Sequence, residues 1–141
     1  MRLAIVRPPA ETFADGLTTA GLGAPDFDTA LVQHAGYCEA IEVCGLALTR
    51  LPPDARHPDS TFVEDTAVIT DRCVVLTRPG APSRAGETAA MRPVLAALGL
   101  PVEEFGAPGN LDGGDVCETD GHFLIGVSER TNDEGARRLA E

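Results

Sequence analysis

Apolar positions in the first third of the chain predict a strand, a helix and a second strand. The short run Leu3–Val6 is stopped by two prolines, which is typical of a buried strand. Apolar residues then recur at helical spacing, in a helix that Asp26 or Asp28 can cap. Cys44–Leu51 predicts the second strand. Residues 11–27 are rich in Gly, Thr, Asp and Pro and predict a long loop, a class that is usually functional or mobile.

The second half of the chain repeats one pattern after about 49 residues. Val63–Ile69 and Cys73–Leu76 predict two strands joined by a tight turn and followed by a loop and a helix. The pattern returns with a hairpin that ends in Phe123–Val127 and a helix whose capping box is Thr131 with Glu134. We therefore expect an α/β fold built from strand–strand–helix modules. Because the last helix has no cap and no following strand, we expect residues 1–141 to form the N-terminal part of a larger repeat fold.

Charge narrows the classes of partner. The 141 residues include 22 acidic side chains against 11 arginines, for a net charge of −11. This balance argues against nucleic acid and against an anionic membrane surface, both of which require a basic face. It favours a cationic ligand, although a soluble acidic protein without one has the same composition. No apolar stretch approaches a membrane span, and the N-terminus lacks signal-peptide features. The four cysteines fit neither metal pairs nor a disulfide framework, so we expect a reduced, cytoplasmic compartment.

The densest group of chemical side chains is acidic. Asp59, Glu64 and Asp65 lie within seven residues, around an apolar pair. In a strand Glu64 and Asp65 would point to opposite faces, so one of them would point inward and need a cationic partner. The functional interpretation is a pocket for a planar cation such as guanidinium. The alternative is a turn at the start of a strand, with its charges in solvent.

Two further features suggest ligand contacts. In Leu111–Asp115 paired glycines lie between two aspartates and would let the backbone approach a ligand closely, but a glycine bulge entering a strand has the same sequence. A metal site here is poorly supported, since no histidine lies at ligand spacing. Arg78 and Arg130 each follow an equivalent strand, where an arginine suits a substrate carboxylate, although surface arginines are common.

No thiol stands out as a nucleophile. A reactive cysteine needs an electropositive, partly exposed setting and a nearby base. Cys38, Cys44 and Cys73 fit packed positions, and Cys117 is a weak candidate at most. The histidine at 34 fits a packed helix face, and the two others, at 57 and 122, lie in or beside turns.

Five segments, in order and with matching spacing, resemble the dimethylarginine dimethylaminohydrolase family: Asp15–Thr19, Pro58–Ala67, Thr77–Arg84, Leu111–Val116 and Arg130–Ala136. The resemblance covers essentially the whole chain. Arginine deiminases and amidinotransferases share the fold and the Gly-Gly-Asp turn, so they are the relatives to exclude. The resemblance implies a pentein-type α/β propeller of five strand–strand–helix–strand modules around a pseudo-fivefold axis. Residues 1–141 would then form modules 1, 2 and part of 3 of a single domain, about half of the propeller.

The same resemblance implies a reaction and a set of roles. In the family a cysteine thiolate attacks the guanidinium carbon of methylated arginine, methylamine leaves, and water resolves a thiouronium intermediate to citrulline, with a histidine as general acid–base. No cofactor is implied. Asp112 resembles the acid that pairs with the catalytic histidine. The implied substrate-binding residues are a lid residue, Leu17; three carboxylates, Asp59, Glu64 and Asp65; a pocket wall, Phe62; and a carboxylate clamp, Arg78 with Arg130.

One departure limits the resemblance. The family's catalytic histidine and cysteine match no residue of this sequence and would lie beyond residue 141. We therefore expect residues 1–141 to be inactive alone and to require the missing C-terminal half, or further copies of the chain, as a partner. The expected ligand is a small cationic guanidino compound. Two alternatives stay open: an arginine deiminase or amidinotransferase relative, and a non-catalytic half-propeller that binds guanidino compounds.

Overall fold

The computed structural model describes residues 2–141 and divides them into two compact units. The first unit ends at Val63 and the second comprises Glu64–Glu141.

The first unit is a strand–helix–strand arrangement. Strands β1 (Leu3–Val6) and β2 (Ala47–Arg50) pair in parallel, and helix α1 (Phe27–Val43) connects them. The helix begins where predicted, because the Asp26 side chain accepts the Thr29 N–H at 2.7 Å and so satisfies one free donor of the first turn.

The predicted second strand was too long at its start. Cys44 is the C-cap of α1, and Gly45 follows with a φ of +83°, a conformation that ends the helix and that glycine adopts readily. Cys44 is consequently exposed, so its predicted packing role was wrong. Cys38, by contrast, is buried in α1 as predicted.

The second unit begins with a complete strand–strand–helix–strand module. Strands β3 (Ala67–Ile69) and β4 (Val74–Leu76) form an antiparallel hairpin. Helix α2 (Glu87–Ala96) then returns the chain to β5 (Val102–Glu104), which pairs in parallel with β4. Apolar side chains of the sheet and of α2 form the buried core of this module: Val68, Val74, Leu76, Met91 and Leu95.

The predicted strand Val63–Ile69 was wrong in its first half. Val63–Thr66 is a 3-10 helix, and only Ala67–Ile69 is extended. Contacts with distant residues fix this conformation. The Thr77 hydroxyl donates to the Asp65 carbonyl oxygen at 2.6 Å, and the Thr77 N–H donates to the Thr66 carbonyl oxygen. The alternation of faces expected of a strand therefore does not apply to Glu64 and Asp65.

The rest of the second unit repeats this pattern as far as its helix. Strands β6 (Val116–Thr119) and β7 (His122–Ile125) pair antiparallel, and helix α3 (Asp133–Ala140) follows. The predicted cap of α3 was wrong by one residue. Asn132 is the N-cap, with its side-chain oxygen accepting the Gly135 N–H at 2.8 Å, because the Thr131 hydroxyl donates to the Asp115 carboxylate instead.

Apolar side chains remain exposed on the second hairpin and just after it. Phe123, Leu124 and Val127 all expose large fractions of their surface. Within residues 2–141, no helix combines the length and the apolar character that crossing a bilayer requires.

Candidate functional site

The second unit contains a group of four acidic side chains, Glu64, Asp65, Asp112 and Asp115, called the acidic cluster below. Asp65 is buried whereas Glu64 is exposed. The sequence thus predicted correctly that one carboxylate of this pair points inward, although the 3-10 helix and not strand alternation turns it there. Partial desolvation raises the pKa of the Glu64 carboxyl, and the nearby Asp65 carboxylate raises it further.

Glycines bring the two predicted acidic segments together. Gly113 and Gly114 begin a 3-10 helix, Gly113–Asp115, that packs directly against Glu64 and Asp65. A Cβ at Gly113 would overlap the Glu64 carbonyl oxygen, and one at Gly114 would overlap the Asp65 carboxylate. The Gly114 N–H donates to Asp65 Oδ1 at 2.9 Å. The paired glycines therefore allow a close backbone approach, but to a carboxylate of this chain.

Asp112 is the least satisfied member of the cluster. It is 0% exposed. Its Oδ1 accepts the Gly80 N–H at 3.1 Å, while its Oδ2 has no hydrogen-bond partner among residues 2–141. The nearest cation to Oδ2 is the Nε of Arg130, at 3.5 Å. Burial raises the pKa of the Asp112 carboxyl; the Gly80 hydrogen bond and Arg130 oppose that shift, and the Asp65 charge adds to it.

A guanidinium already lies against the acidic cluster. The Arg130 side chain approaches Asp112 at 3.5 Å, Asp115 at 3.8 Å and Asp65 at 4.0 Å, and it remains 48% exposed. These distances are too long for strong hydrogen bonds, so Arg130 acts chiefly as a counterion. The cluster can therefore accommodate a planar cation at its solvent-facing side.

Three residues that the sequence reasoning missed hold the cluster in place. Arg84 lies between Glu87 and Asp65 in a buried chain of ion pairs. Thr131 is fully buried; its hydroxyl donates to Asp115 Oδ2 at 2.7 Å and accepts the Asp112 N–H at 3.0 Å. The i,i+3 spacing of Arg84 and Glu87 at a helix start was a usable signal for the first pair.

Arg78 makes different contacts from those of Arg130. Its Nη1 donates to the Gly109 carbonyl oxygen at 3.2 Å and to the Asn110 side-chain oxygen. Within residues 2–141, Arg78 forms no ion pair with the acidic cluster. The structure thus brings one of the two predicted arginines, Arg130, to the cluster.

The first unit holds the other predicted substrate residues. Asp59 is buried, and both of its carboxylate oxygens accept the Leu17 N–H, at 3.0 and 3.2 Å. This contact ties the backbone of Leu17, within the predicted long loop, to Asp59, while the Leu17 side chain is exposed. The Phe62 ring lies 6.4 Å from that of Phe13 and is partly exposed.

The described thiols and imidazoles make their contacts away from the acidic cluster. The Cys38 Sγ lies 3.7 Å from His34 Nδ1, His57 contacts Asp54, and His122 contacts the Asp120 carbonyl oxygen. The exposed Cys117 thiol contacts its neighbour's carbonyl oxygen. In the described part of the chain, no group of three or more metal-ligating side chains is arranged to hold an ion.

Comparison with known proteins supports the resemblance drawn from the motifs. The chain is 47% identical over 137 residues to N(G),N(G)-dimethylarginine dimethylaminohydrolase of Pseudomonas aeruginosa, an alignment that covers 96% of this chain and 54% of that protein. It is 39% identical to the protein of the same name from Streptomyces coelicolor, covering 53% of that protein. The chain therefore spans about half the length of the curated relatives it matches. No family model matches it.

Solved structures agree with these alignments. A mutant of the Pseudomonas aeruginosa enzyme complexed with citrulline superposes with a TM-score of 0.95 at 46% identity, covering 98% of this chain and 55% of that one. The N-terminal domain of a cyanobacterial arginine dihydrolase superposes with a TM-score of 0.85 at 18% identity, which shows a shared fold alone. The chain thus has an α/β fold of the pentein type.

Proposed function

We propose that this chain, a homologue of the dimethylarginine dimethylaminohydrolases over 96% of its length, supplies the guanidinium-binding part of an enzyme that hydrolyses methylated arginine. The products would be citrulline and a methylamine. The relatives support hydrolysis as the class of reaction, and the acidic cluster supports a substrate that carries a positive charge.

The chemistry requires groups that the cluster can position. A thiolate adds to the guanidinium carbon, and the methylamine leaves with a proton from a histidine. Water then adds to the thiouronium carbon, a proton passes to the histidine, and the thiolate departs as citrulline forms. Carboxylates that pair with the guanidinium N–H groups hold the planar carbon in the line of attack. We assign this holding role to Glu64 and Asp65.

The observation that carries this proposal is the buried, unsatisfied oxygen of Asp112. An ionised oxygen without a donor is costly inside a protein, so such an oxygen indicates a missing partner. A protonated imidazole is such a donor, and the Asp112 carboxylate would favour its charged form. We therefore assign Asp112 to the orientation of the general acid–base histidine. The nucleophilic cysteine and this histidine would both come from polypeptide outside residues 1–141.

The remaining roles are assigned by homology and supported by position. Leu17, tied through its backbone to Asp59, would belong to a lid over the substrate. Phe62 would form a wall of the pocket. Arg130 would bind the substrate's α-carboxylate, which requires it to exchange its present carboxylate neighbours for that of the substrate. Arg78 would join it only by releasing Asn110.

The same homology suggests the organisation of the whole enzyme. Residues 1–141 would contribute modules 1, 2 and part of 3 of a five-module propeller, with the remaining half or a further copy packed beside them. The exposed apolar residues of the β6–β7 hairpin fit such a covered edge. We expect the enzyme to act in the cytoplasm.

A matched pair of variants tests the substrate assignment. In the native-length enzyme, Glu64→Ala should raise KM for dimethylarginine at least tenfold, because it removes a carboxylate from the substrate cation. Glu103→Ala removes another exposed carboxylate, on β5, and should change KM less than twofold. Equal, small effects of the two substitutions would show that the substrate binds elsewhere.

A further inference from the structure

The α2 helix begins with a buried acid that the proposed mechanism does not use. Glu87 is 0% exposed although it is charged, and it occupies the first residue of the helix. The positive end of the helix dipole favours a carboxylate there. Burial of a charged group is costly unless it is paired, so the partner of Glu87 determines what it does.

Glu87 binds Arg84 through two parallel hydrogen bonds. The Arg84 Nε donates to Glu87 Oε1 at 3.0 Å, and its Nη2 donates to Oε2 at 2.7 Å. This bidentate geometry fixes the plane of the guanidinium. Desolvation disfavours the charge of Arg84, but the hydrogen bonds to Glu87 and Asp65 outweigh it and raise the pKa of Arg84. Arg84 is therefore a rigid, permanently charged link.

The same guanidinium also contacts the acidic cluster. Arg84 Nη1 donates to Asp65 Oδ2, and the Gly114 N–H holds the other oxygen, Oδ1, at 2.9 Å. A carboxylate has about four lone-pair sites, so these two donors orient Asp65 and leave acceptor capacity for a further cation. The chain of contacts thus runs from Glu87 through Arg84 and Asp65 to Gly114.

We propose that Glu87 is a positioning residue for substrate binding: through Arg84 it sets the orientation in which Asp65 meets the substrate guanidinium. This inference rests on the proposed function for its substrate. A buried ion pair is a poor device for stability alone, since apolar side chains of similar volume are often as stable or more so. Precise placement of a carboxylate is a task that apolar side chains cannot perform.

An apolar replacement separates positioning from stability. The double variant Arg84→Met with Glu87→Leu fills the same space without charge and should keep a urea midpoint close to that of the wild type. Glu87→Gln keeps the shape of the side chain but weakens its hydrogen bonds to Arg84. We expect this variant to change substrate binding in the same direction as the double variant, but less. Glu134→Gln, at a more accessible ion pair on α3, is the control.

Two measurements distinguish a positioning role of Glu87 from a packing role. In the 141-residue chain, amide exchange of Gly114 reports whether Asp65 still accepts its N–H. We expect exchange at Gly114 to accelerate at least fivefold in the double variant and to remain unchanged in Glu134→Gln. In the native-length enzyme, KM for dimethylarginine should rise at least tenfold in the double variant, with a smaller change in kcat.

The outcomes are distinct. If the stable double variant keeps the wild-type Gly114 exchange and KM, the pair serves packing only and the inference is wrong. If the double variant fails to fold, Glu87→Gln decides by the same two readouts. If the wild-type enzyme releases no citrulline, the proposed function fails, and the inferred link to substrate binding falls with it; Gly114 exchange then still shows whether Glu87 orients Asp65.

Discussion

Replacing the unsatisfied Asp112 by asparagine should make the chain more stable while removing its proposed catalytic role. The structure isolates the cause, because Oδ1 keeps a donor in the Gly80 N–H whereas Oδ2 has none among residues 2–141. An unsatisfied buried acceptor costs about 1–3 kcal/mol. The Arg130 Nε at 3.5 Å offsets part of that cost. Asparagine removes the buried charge and keeps an oxygen for the Gly80 N–H, so we expect Asp112→Asn to raise the free energy of unfolding at pH 7 by about 1 kcal/mol.

The pH dependence of this gain follows from the direction of the pKa shift. The folded-state pKa of Asp112 is raised above its ordinary value of 3.8, mainly by burial. The carboxyl therefore contributes most to stability below pH 3.8, where it is protonated in both states, and that contribution is lost as the pH rises through the raised pKa. Urea unfolding should show a gain from Asp112→Asn that is smaller near pH 4 than at pH 7.

Asp115 provides the matched control because its carboxylate is satisfied. It accepts the hydroxyls of Ser128 at 2.9 Å and Thr131 at 2.7 Å. Asp115→Asn should accordingly lower the free energy of unfolding, by about 1–2 kcal/mol. The reasoning would be refuted if Asp112→Asn destabilised the chain at pH 7 as much as Asp115→Asn does, since Oδ2 of Asp112 would then have a donor within the chain.

Two other predictions address the packing of the cluster and the exposed hairpin. Gly114→Ala should lower the free energy of unfolding by about 2–4 kcal/mol, because its Cβ overlaps Asp65 and displaces a hydrogen bond to a carboxylate. In the control Gly106→Ala, the new Cβ meets the far end of one arginine, so the free energy of unfolding should change by less than about 0.5 kcal/mol. Equal losses in the two variants would contradict the geometry. The 141-residue chain should self-associate through the exposed apolar side chains of β6–β7, so Leu124→Asp should shift it toward the monomer in light scattering. Unchanged association would mean that a different surface mediates it.

Local signals predicted the parts of the structure that local contacts fix. Asp26 caps α1 through a residue three positions away, and the β6–β7 turn needs only the positive φ of Gly121. The order of strands and helices followed from apolar periodicity in the same way. The cap of α3 shows the limit. Both Thr131 and Asn132 can cap a helix, and the choice is made by a carboxylate 16 residues from Thr131 in sequence.

The parts that the sequence did not reveal depend on distant partners. The 3-10 conformation at Glu64 and Asp65 is held by Thr77 and Arg84, which lie 12 and 19 residues from Asp65. Arg84 is buried between two acids. Charged side chains are rarely buried unless paired, and this pairing is not visible in the sequence. The residue types of the site were therefore predictable, whereas the groups that hold them were not.

Methylarginine hydrolysis is tested by the rate of citrulline release from dimethylarginine and from arginine, measured side by side on the protein purified at its native length. We expect dimethylarginine to be hydrolysed and to be strongly preferred over arginine. Citrulline release from arginine alone would assign the acidic cluster to a deiminase, and release from neither substrate would contradict the claim that this chain forms part of a methylarginine hydrolase.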